Sequence, residues 1–472
     1  MTTAKRRIKG YAVAGLLFVA AECGAASDFF VAPDGGHQAP YASWGAAATN
    51  VRDAVVAANA ANNGSTVWIS NGLYRLPNMI TVSNAVVRGF GGDRTAVVID
   101  GGGSVRPFYL NHAGAALRDL TVSNGCVSSA ADLSGNGGGV NLNLAGSLLS
   151  NCVVVACTAT NLGGGVFVTK GTVLGCLLTG NTGQGTANGS AGGLSLGTDS
   201  LVANCTISGN RAMAGQYAAG GAYISTRSVF SNCTVKGNMA SSAGGVRPYY
   251  YATIVNCVIE GNIATNASTS LSIGGGVQTE VPATLRNCLL LNNRAHSAYR
   301  GAGGIQGNKY ASASGDLLIE SCTIVSNSYF KVNNAGVGSG GFFLTGTNYL
   351  TGSVIYSNYS AFAETWADIA MNSSDKVNTN FYFNNCVRKA TYALPDVQGN
   401  ITSDPQFVNF ALGDFRLAVG SPCINTGTNL TWMAGASDLD GNPRLDRRYR
   451  RADMGCYETV FLPSGGTLLS LQ

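Results

Sequence analysis

Between residues 152 and 386 one short alternation of apolar and polar positions restarts every 24 to 34 residues. Each restart carries a Cys slot, at Cys152, Cys176, Cys205, Cys233, Cys257, Cys288, Cys322 and Cys386, with Ser353 in the slot between the last two and Leu120 before the first. Two places on stand Val154, Leu178, Ile207, Val235, Ile259, Leu290, Ile324 and Ile355. Residues i and i+2 share one face of a strand, so the pattern predicts a short strand with a thiol and aliphatic inner face. Five places after the slot comes Asn181, Asn210, Asn238, Asn262, Asn293, Asn327 or Asn358. A fixed offset over seven repeats exceeds what turn composition explains. If repeats stack at the strand spacing of about 4.8 Å, each side-chain amide donates to the carbonyl of the next.

A second anchor is a Gly-Gly pair followed by Val140, Val166, Leu194, Ala222, Val246, Val277, Ile305 or Phe342. From that residue to the next slot the chain length is nearly constant, whereas from the ladder Asn to the Gly-Gly pair it varies. Insertions therefore collect in one loop on one flank. A repeat this short buries its apolar face only against its neighbours, and constant strands with one variable loop are what a parallel β-helix requires. Ahead of the ladder, Asn50 and Asp53 cap a predicted helix with apolar Val51, Ala54, Val55 and Ala58, ending near Asn62-Asn63-Gly64 and covering the open end of the first coil. Strands are predicted at Thr66 to Ile69, Ile80 to Val82, Val86 to Arg88 and Val97 to Ile99.

The stretch Asn204-Cys205-Thr206-Ile207-Ser208-Gly209-Asn210, with the Gly-Gly pairs, resembles the right-handed parallel β-helix repeats of secreted bacterial proteins. Asp404-Pro405-Gln406-Phe407, Gly413-Asp414-Phe415-Arg416-Leu417, Gly420-Ser421-Pro422, Asp438-Leu439-Asp440-Gly441-Asn442-Pro443-Arg444 and Asp453-Met454-Gly455-Cys456-Tyr457-Glu458 resemble the choice-of-anchor Q domain. Together the two resemblances cover residues 80 to 458, approximately. The expected fold is all-β: a right-handed parallel β-helix solenoid with a short N-terminal capping helix and a small β-rich C-terminal cap. Its expected divisions are a signal peptide (1–26), an N-terminal cap and first coils (27–110), the repeats (111–395), a choice-of-anchor Q-like region (396–458) and a tail (459–472). In the family that the C-terminus resembles, the positions of Cys423 and Cys456 are usually small, which implies one disulfide or a side-by-side thiol pair here.

The leader reading rests on Lys5 to Lys9 as a basic start, Tyr11 to Ala21 as an apolar core too short to span a bilayer, and Ala25 or Ala26 at a cleavage site; Glu22 before Cys23 opposes lipidation. The expected location is secreted, extracellular or on the outer surface. Removing residues 1–26 lowers the formal charge from +5 to +2, because Lys5, Arg6, Arg7 and Lys9 leave against Glu22. That excludes a nucleic-acid or anionic-membrane reading. The slot cysteines read as buried free thiols, since stacked parallel Cβ vectors do not suit a disulfide dihedral. Only His37, His112 and His296 are present and no slot spacing matches zinc, so no cofactor is expected. Asp438, Asp440 and Asn442 are oxygen-rich enough to consider calcium, although the segment lacks the distal acidic ligand of an EF-hand loop. Arg447, Arg448, Arg450 and Arg451 read as an exposed basic hairpin.

Function must reside in outward positions, and on the strand after the Gly-Gly pair the residue following the anchor points out. Counting along it places Tyr223, Arg247, Tyr249, Gln278, Glu280, Gln306 and Asn308 on adjacent coils. Rings with planar amides and one ion pair suit stacking on and hydrogen bonding to sugars. The same residues also fit a merely polar outer face with Arg247 paired to Glu280. For catalysis, the resemblance to β-helix lyases implies a Lys or Arg base with acidic calcium ligands, and hydrolases need paired carboxylates. Between residues 121 and 360 the acids are Asp132, Asp199, Glu260, Glu280, Asp316 and Glu320, with no paired cluster. Glu280 and Arg247 are the catalytic candidates. Two classes therefore stand: a monomeric, non-catalytic binder of polysaccharide or another surface, and a polysaccharide lyase or glycoside hydrolase on the same scaffold.

Overall fold

The computed structural model describes residues 27–128, 135–268, 270–279, 282–307, 316–332, 337–344, 348–361, 365–371, 380–390, 398–445 and 450–460. The expected leader, Arg447, Arg448, Glu280, Asn308 and residues 461–472 lie outside the described residues. The chain is a right-handed parallel β-helix. Among the described residues, four long sheets of 13, 12, 11 and 10 strands run along it, parallel throughout except for one terminal antiparallel pair. One coil shows the pattern: Leu201–Ala203, Thr206–Ser208, Arg211–Ala212 and Ala222–Ile224 each join a different long sheet. We call these the first, slot, ladder and anchor sheets, in chain order. Ile207 lies in register between Leu178 of the coil before and Val235 of the coil after.

The repeat motif Asn-Cys-x-x-x-Gly-Asn is explained by its corners. Asn204 and Gly209 turn the chain into and out of the slot strand in left-handed backbone, at φ 56° and 63°. Asn151, Asn232, Asn256 and Asn287 do the same before their slots, as Gly180, Gly237 and Gly261 do before their ladder residues. L-residues with a Cβ resist this conformation, and Asn resists it least. Between the corners, the slot residues Cys152 to Cys322 and the aliphatic residues two places on are buried in one continuous core.

The Asn ladder forms as the spacing predicts, and every Nδ2 in it donates both to a backbone carbonyl and to the next rung. Asn238 Nδ2 donates to Asn262 Oδ1 at 2.9 Å and to the Ile207 carbonyl at 2.9 Å, while its Oδ1 accepts from Asn210 N and Nδ2. The run starts at Cys157 N, which donates to Asn181 Oδ1, and stops at Asp368, whose Oδ1 accepts from both nitrogens of Asn358. The Gly-Gly pairs follow from this ladder. A Cβ on Gly193 would stand 2.7 Å from the Gly221 carbonyl oxygen and 2.9 Å from Asn210 Nδ2, so only a bare backbone returns past the amides.

At the N-terminus the helix Val51–Ala61 forms as expected, with Asn50 Oδ1 accepting from Asp53 N, Asn62 closing the end in left-handed backbone, and Val51, Ala54, Val55 and Ala58 buried. It packs on the strands Asp28–Val31 and Ser65–Ile69 and covers the first coils. No helix among the described residues is long and apolar enough to cross a membrane.

At the other end one expectation shifts by a residue. Val354 pairs with Cys386, so Ser353 stands over Asn385, and Cys386 leaves the core for the outer face of the slot sheet. Asn385 and Asn400 then continue a short second amide ladder from Ser353. The C-terminal segment adds this rung and folds back along the flank. Its hairpin, Phe407–Asn409 with Asp414–Leu417, and its final turn cover the slot sheet's outer face from Leu289 to Cys386. Cys456 N donates to Thr323 Oγ1 and Gly455 N to the Gly352 carbonyl. The charged motif residues hold this segment together. Arg444, wholly buried, meets Glu458 at 3.0 Å and donates to the Gly455 carbonyl. Cys423 and Cys456 occupy separate apolar clusters, which corrects the expected pairing; the thiol beside Cys423 is Cys386.

Candidate functional site

The anchor sheet aligns Asn141, Phe167, Ser195, Tyr223 and Arg247 in register, and then Gln278, Gln306 and Phe343. The row lies on the sheet's outer face, as counting from the ladder predicts, yet solvent does not reach most of it. Tyr223 is 8% exposed, Arg247 3%, and Gln278 and Gln306 0%. The variable loops are the cause. They bend back over the row, bridging Ala191, Ala219, Ala243 and Gly274 from coil to coil, and further along they form a fifth sheet from Ser272–Gly274, Arg300–Ala302 and Val337–Ser339. Counting residues located these insertions but carried no sign of their direction.

Beneath the loops the row is engaged internally. Arg247 Nη1 donates to Gln278 Oε1 and, at 3.4 Å, to Ser242 Oγ. Its guanidinium lies 4.7 Å from the centre of the Tyr217 ring. Tyr249 is half-buried, 6.0 Å from Tyr223 and edge-on to Tyr250 at 4.6 Å. The expected partnership of Arg247 with Glu280, and the role of Asn308, fall outside the described residues.

What these loops leave open is a cleft of about 810 Å³ spanning successive coils. Thr186 and Asn188 line one end, Gln216 and Tyr217 the middle, Thr265, Asn266 and Ser268 the other, with Met213 and Leu271 adding apolar surface. Its walls are pinned by Asn266 Nδ2 on the Ser241 carbonyl at 3.0 Å, Ser241 Oγ on the Gly215 carbonyl, and Ser268 N on Asn266 Oδ1 at 2.8 Å. Among the described residues, no carboxylate side chain lines it. On the adjoining ladder sheet Arg211 and Arg294 face solvent on either side of Met239 and Ile263. The arrangement offers hydroxyl and amide hydrogen bonding around one aromatic ring stiffened by a cation beneath it. Tyr217 holds no fixed place in the repeat, so sequence periodicity missed it; the uneven loop length was the one available signal.

The calcium candidates have other partners. Asp438 Oδ1 accepts from Asp440 N and Asn442 N, and its Oδ2 accepts from Glu458 N at 2.7 Å. Asp440 pairs with Arg416 at 2.6 Å. The segment is a turn closed by backbone donors. No group of three or more His, Cys, Asp or Glu among the described residues is placed to hold a metal.

No protein-family model matches the chain, and no curated protein matches it in sequence. Among solved structures it is similar to pectate lyase Pel9A, at 14% identity and a TM-score of 0.47 over 91% of this chain and 96% of that one. It is also similar to the Dettilon tailspike protein, at 13% identity and 0.39 over 75% and 70%. A mannuronic acid specific polysaccharide family 6 lyase from human gut microbiota aligns at 11% identity and 0.38 over 71% and 85%. Likenesses this distant assign neither a substrate nor a chemistry to the chain.

Proposed function

We propose that the chain is an exported or cell-surface β-helix protein that binds polysaccharide in the loop cleft without turning it over. The observation that carries this reading is the cleft itself: an open, pinned groove across several coils, with the Tyr217 ring braced by Arg247 and surrounded by hydroxyls and amides. An extended sugar chain presents apolar ring faces and many hydroxyls, and such a groove answers both. In this proposal Tyr223, Tyr249, Gln278 and Gln306 support the cleft floor from the row beneath. Residues 1–26 direct export, the C-terminal segment is of the choice-of-anchor Q kind, and the protein is a monomer.

The test is binding and turnover measured together on uronate-containing and neutral polysaccharides. The expected result is retarded migration in polysaccharide-loaded gels, weakened about tenfold by Tyr217→Ala, which corresponds to a stacking loss of about 1.4 kcal/mol. Absorbance of unsaturated ends and reducing-sugar release stay at background. Turnover abolished by Arg247→Ala or Glu280→Gln would overturn the proposal in favour of a lyase or glycoside hydrolase on the same scaffold.

A further inference from the structure

The slot thiols Cys152 to Cys322 all point into the core in parallel, an orientation that does not suit a disulfide dihedral. Cys386 does not share it. The one-residue shift that places Asn385 over Ser353 turns Cys386 outward, where it meets Cys423 from a different stretch of chain. Both are wholly buried in one apolar cluster with Val354, Leu417 and Met454, and Cys386 Sγ donates to the Ser403 carbonyl at 3.2 Å. Cys423 is held there through both its backbone N–H and its carbonyl. Ser421 Oγ donates to the Pro405 carbonyl at 2.6 Å and accepts from Cys423 N at 3.2 Å, while Met454 N donates to the Cys423 carbonyl at 2.9 Å. Cys456 is anchored elsewhere, on Thr323.

We propose that Cys386 and Cys423 form a disulfide when the chain folds in an oxidising compartment, tying the last coil to the C-terminal segment. The oxidant is a second disulfide, either a small molecule such as oxidised glutathione or the active disulfide of a thiol oxidoreductase. One cysteine thiolate attacks an oxidant sulfur and expels the first oxidant thiolate. The other cysteine attacks the mixed disulfide and expels the second. Two electrons and two protons pass to the oxidant, which ends as two thiols. Because both sulfurs are buried in the finished fold, the exchange precedes full docking of the segment.

The full chain, refolded with oxidised and reduced glutathione, is unfolded in the presence of N-ethylmaleimide, digested without reductant and mapped by mass spectrometry. The expected product is one cross-link between the Cys386 and Cys423 peptides in most of the protein, fully reversed by dithiothreitol and retained in Cys456→Ser. Cys423→Ser, or equally Cys386→Ser, leaves the partner thiol alkylated. Alkylation of both thiols after oxidation of the wild-type chain, a cross-link from Cys423 to Cys456, or loss of the cross-link in Cys456→Ser would overturn the proposal.

Discussion

Replacing Asn238 by Ala removes a middle rung of the amide ladder, and the structure sets the size of the effect. The side chain makes four hydrogen bonds, at 2.9 to 3.0 Å, to Asn262, Ile207 and both nitrogens of Asn210. Its loss deprives Asn210 N and one Asn210 amide proton of their acceptor and the Ile207 carbonyl of this donor, while Asn262 Oδ1 keeps the bond from Asn238 N. Each of the two donors left unmatched costs about 1–3 kcal/mol, so the substitution destabilises its coils by about 2–6 kcal/mol. Asn181→Ala is the control. Asn181 Oδ1 accepts only from Cys157 N, because the residue below it in the ladder has no amide; one orphan fewer makes this loss smaller by about 1–3 kcal/mol. Solenoid coils open regionally, so native-state hydrogen exchange at the Asn210 amide is the assay, with urea unfolding beside it. A loss below about 1 kcal/mol for Asn238→Ala, or equal losses in the two variants, would refute the ladder as a cooperative structural element.

Four further outcomes follow from the same geometry. Gly193→Ala forces a Cβ to 2.7 Å from a carbonyl oxygen and 2.9 Å from the ladder, costing about 3 kcal/mol as overpacking, whereas Gly180→Ala meets nothing within 4 Å and costs about 1–2 kcal/mol of left-handed strain; melting of the pair should keep that order. Ala156 turns a corner at φ 55°, so Ala156→Gly should raise stability by about 1 kcal/mol; an unchanged urea midpoint would count against strain there. Burial pushes the Cys152 and Cys157 thiols up to about 12, so iodoacetamide at pH 8 finds almost no thiolate on them and should label half-exposed Cys126 first; peptide mapping reads the order. Burial likewise raises the Asp368 carboxyl from 3.8 to about 6, so its protonated form stabilises the last coils fully below the unfolded value, and that contribution is lost as pH rises through about 6. Exchange protection at the Asn358 amide should therefore rise by up to about 3 kcal/mol as pH falls from 7 towards 4, and a flat profile would count against it.

The periodicity carried the coil, its inner face, the ladder and the capping helix because each depends on residues a fixed distance apart. Slot, aliphatic residue and Asn recur at constant offsets, and stacking turns a constant offset into a constant place in the cross-section. The Asn before each Cys and the Gly before each ladder Asn belong to the same legible set, since a single left-handed corner restricts residue type by itself. The candidate site was legible only as a row. Its residues fell in register as counted, but whether Tyr223, Arg247, Gln278 and Gln306 meet solvent depends on loops of unequal length, whose path is set by packing against neighbouring coils. Tyr217 entered the site by that route alone.

The C-terminal region divides along the same line. Its motif residues were visible in the chain, and Arg444, Glu458 and Asp438 do hold one another or the adjoining backbone. Which face the segment covers was decided by long-range contact with Thr323, Gly352 and Val354. The sequence by itself determined the repeating unit, because local backbone preference and a two-residue strand period are properties of neighbours along the chain. Only the tertiary structure decided that a one-residue slip turns Cys386 from the core towards Cys423, and that loops close over one row while opening a cleft beside it; both follow from packing between segments far apart in sequence.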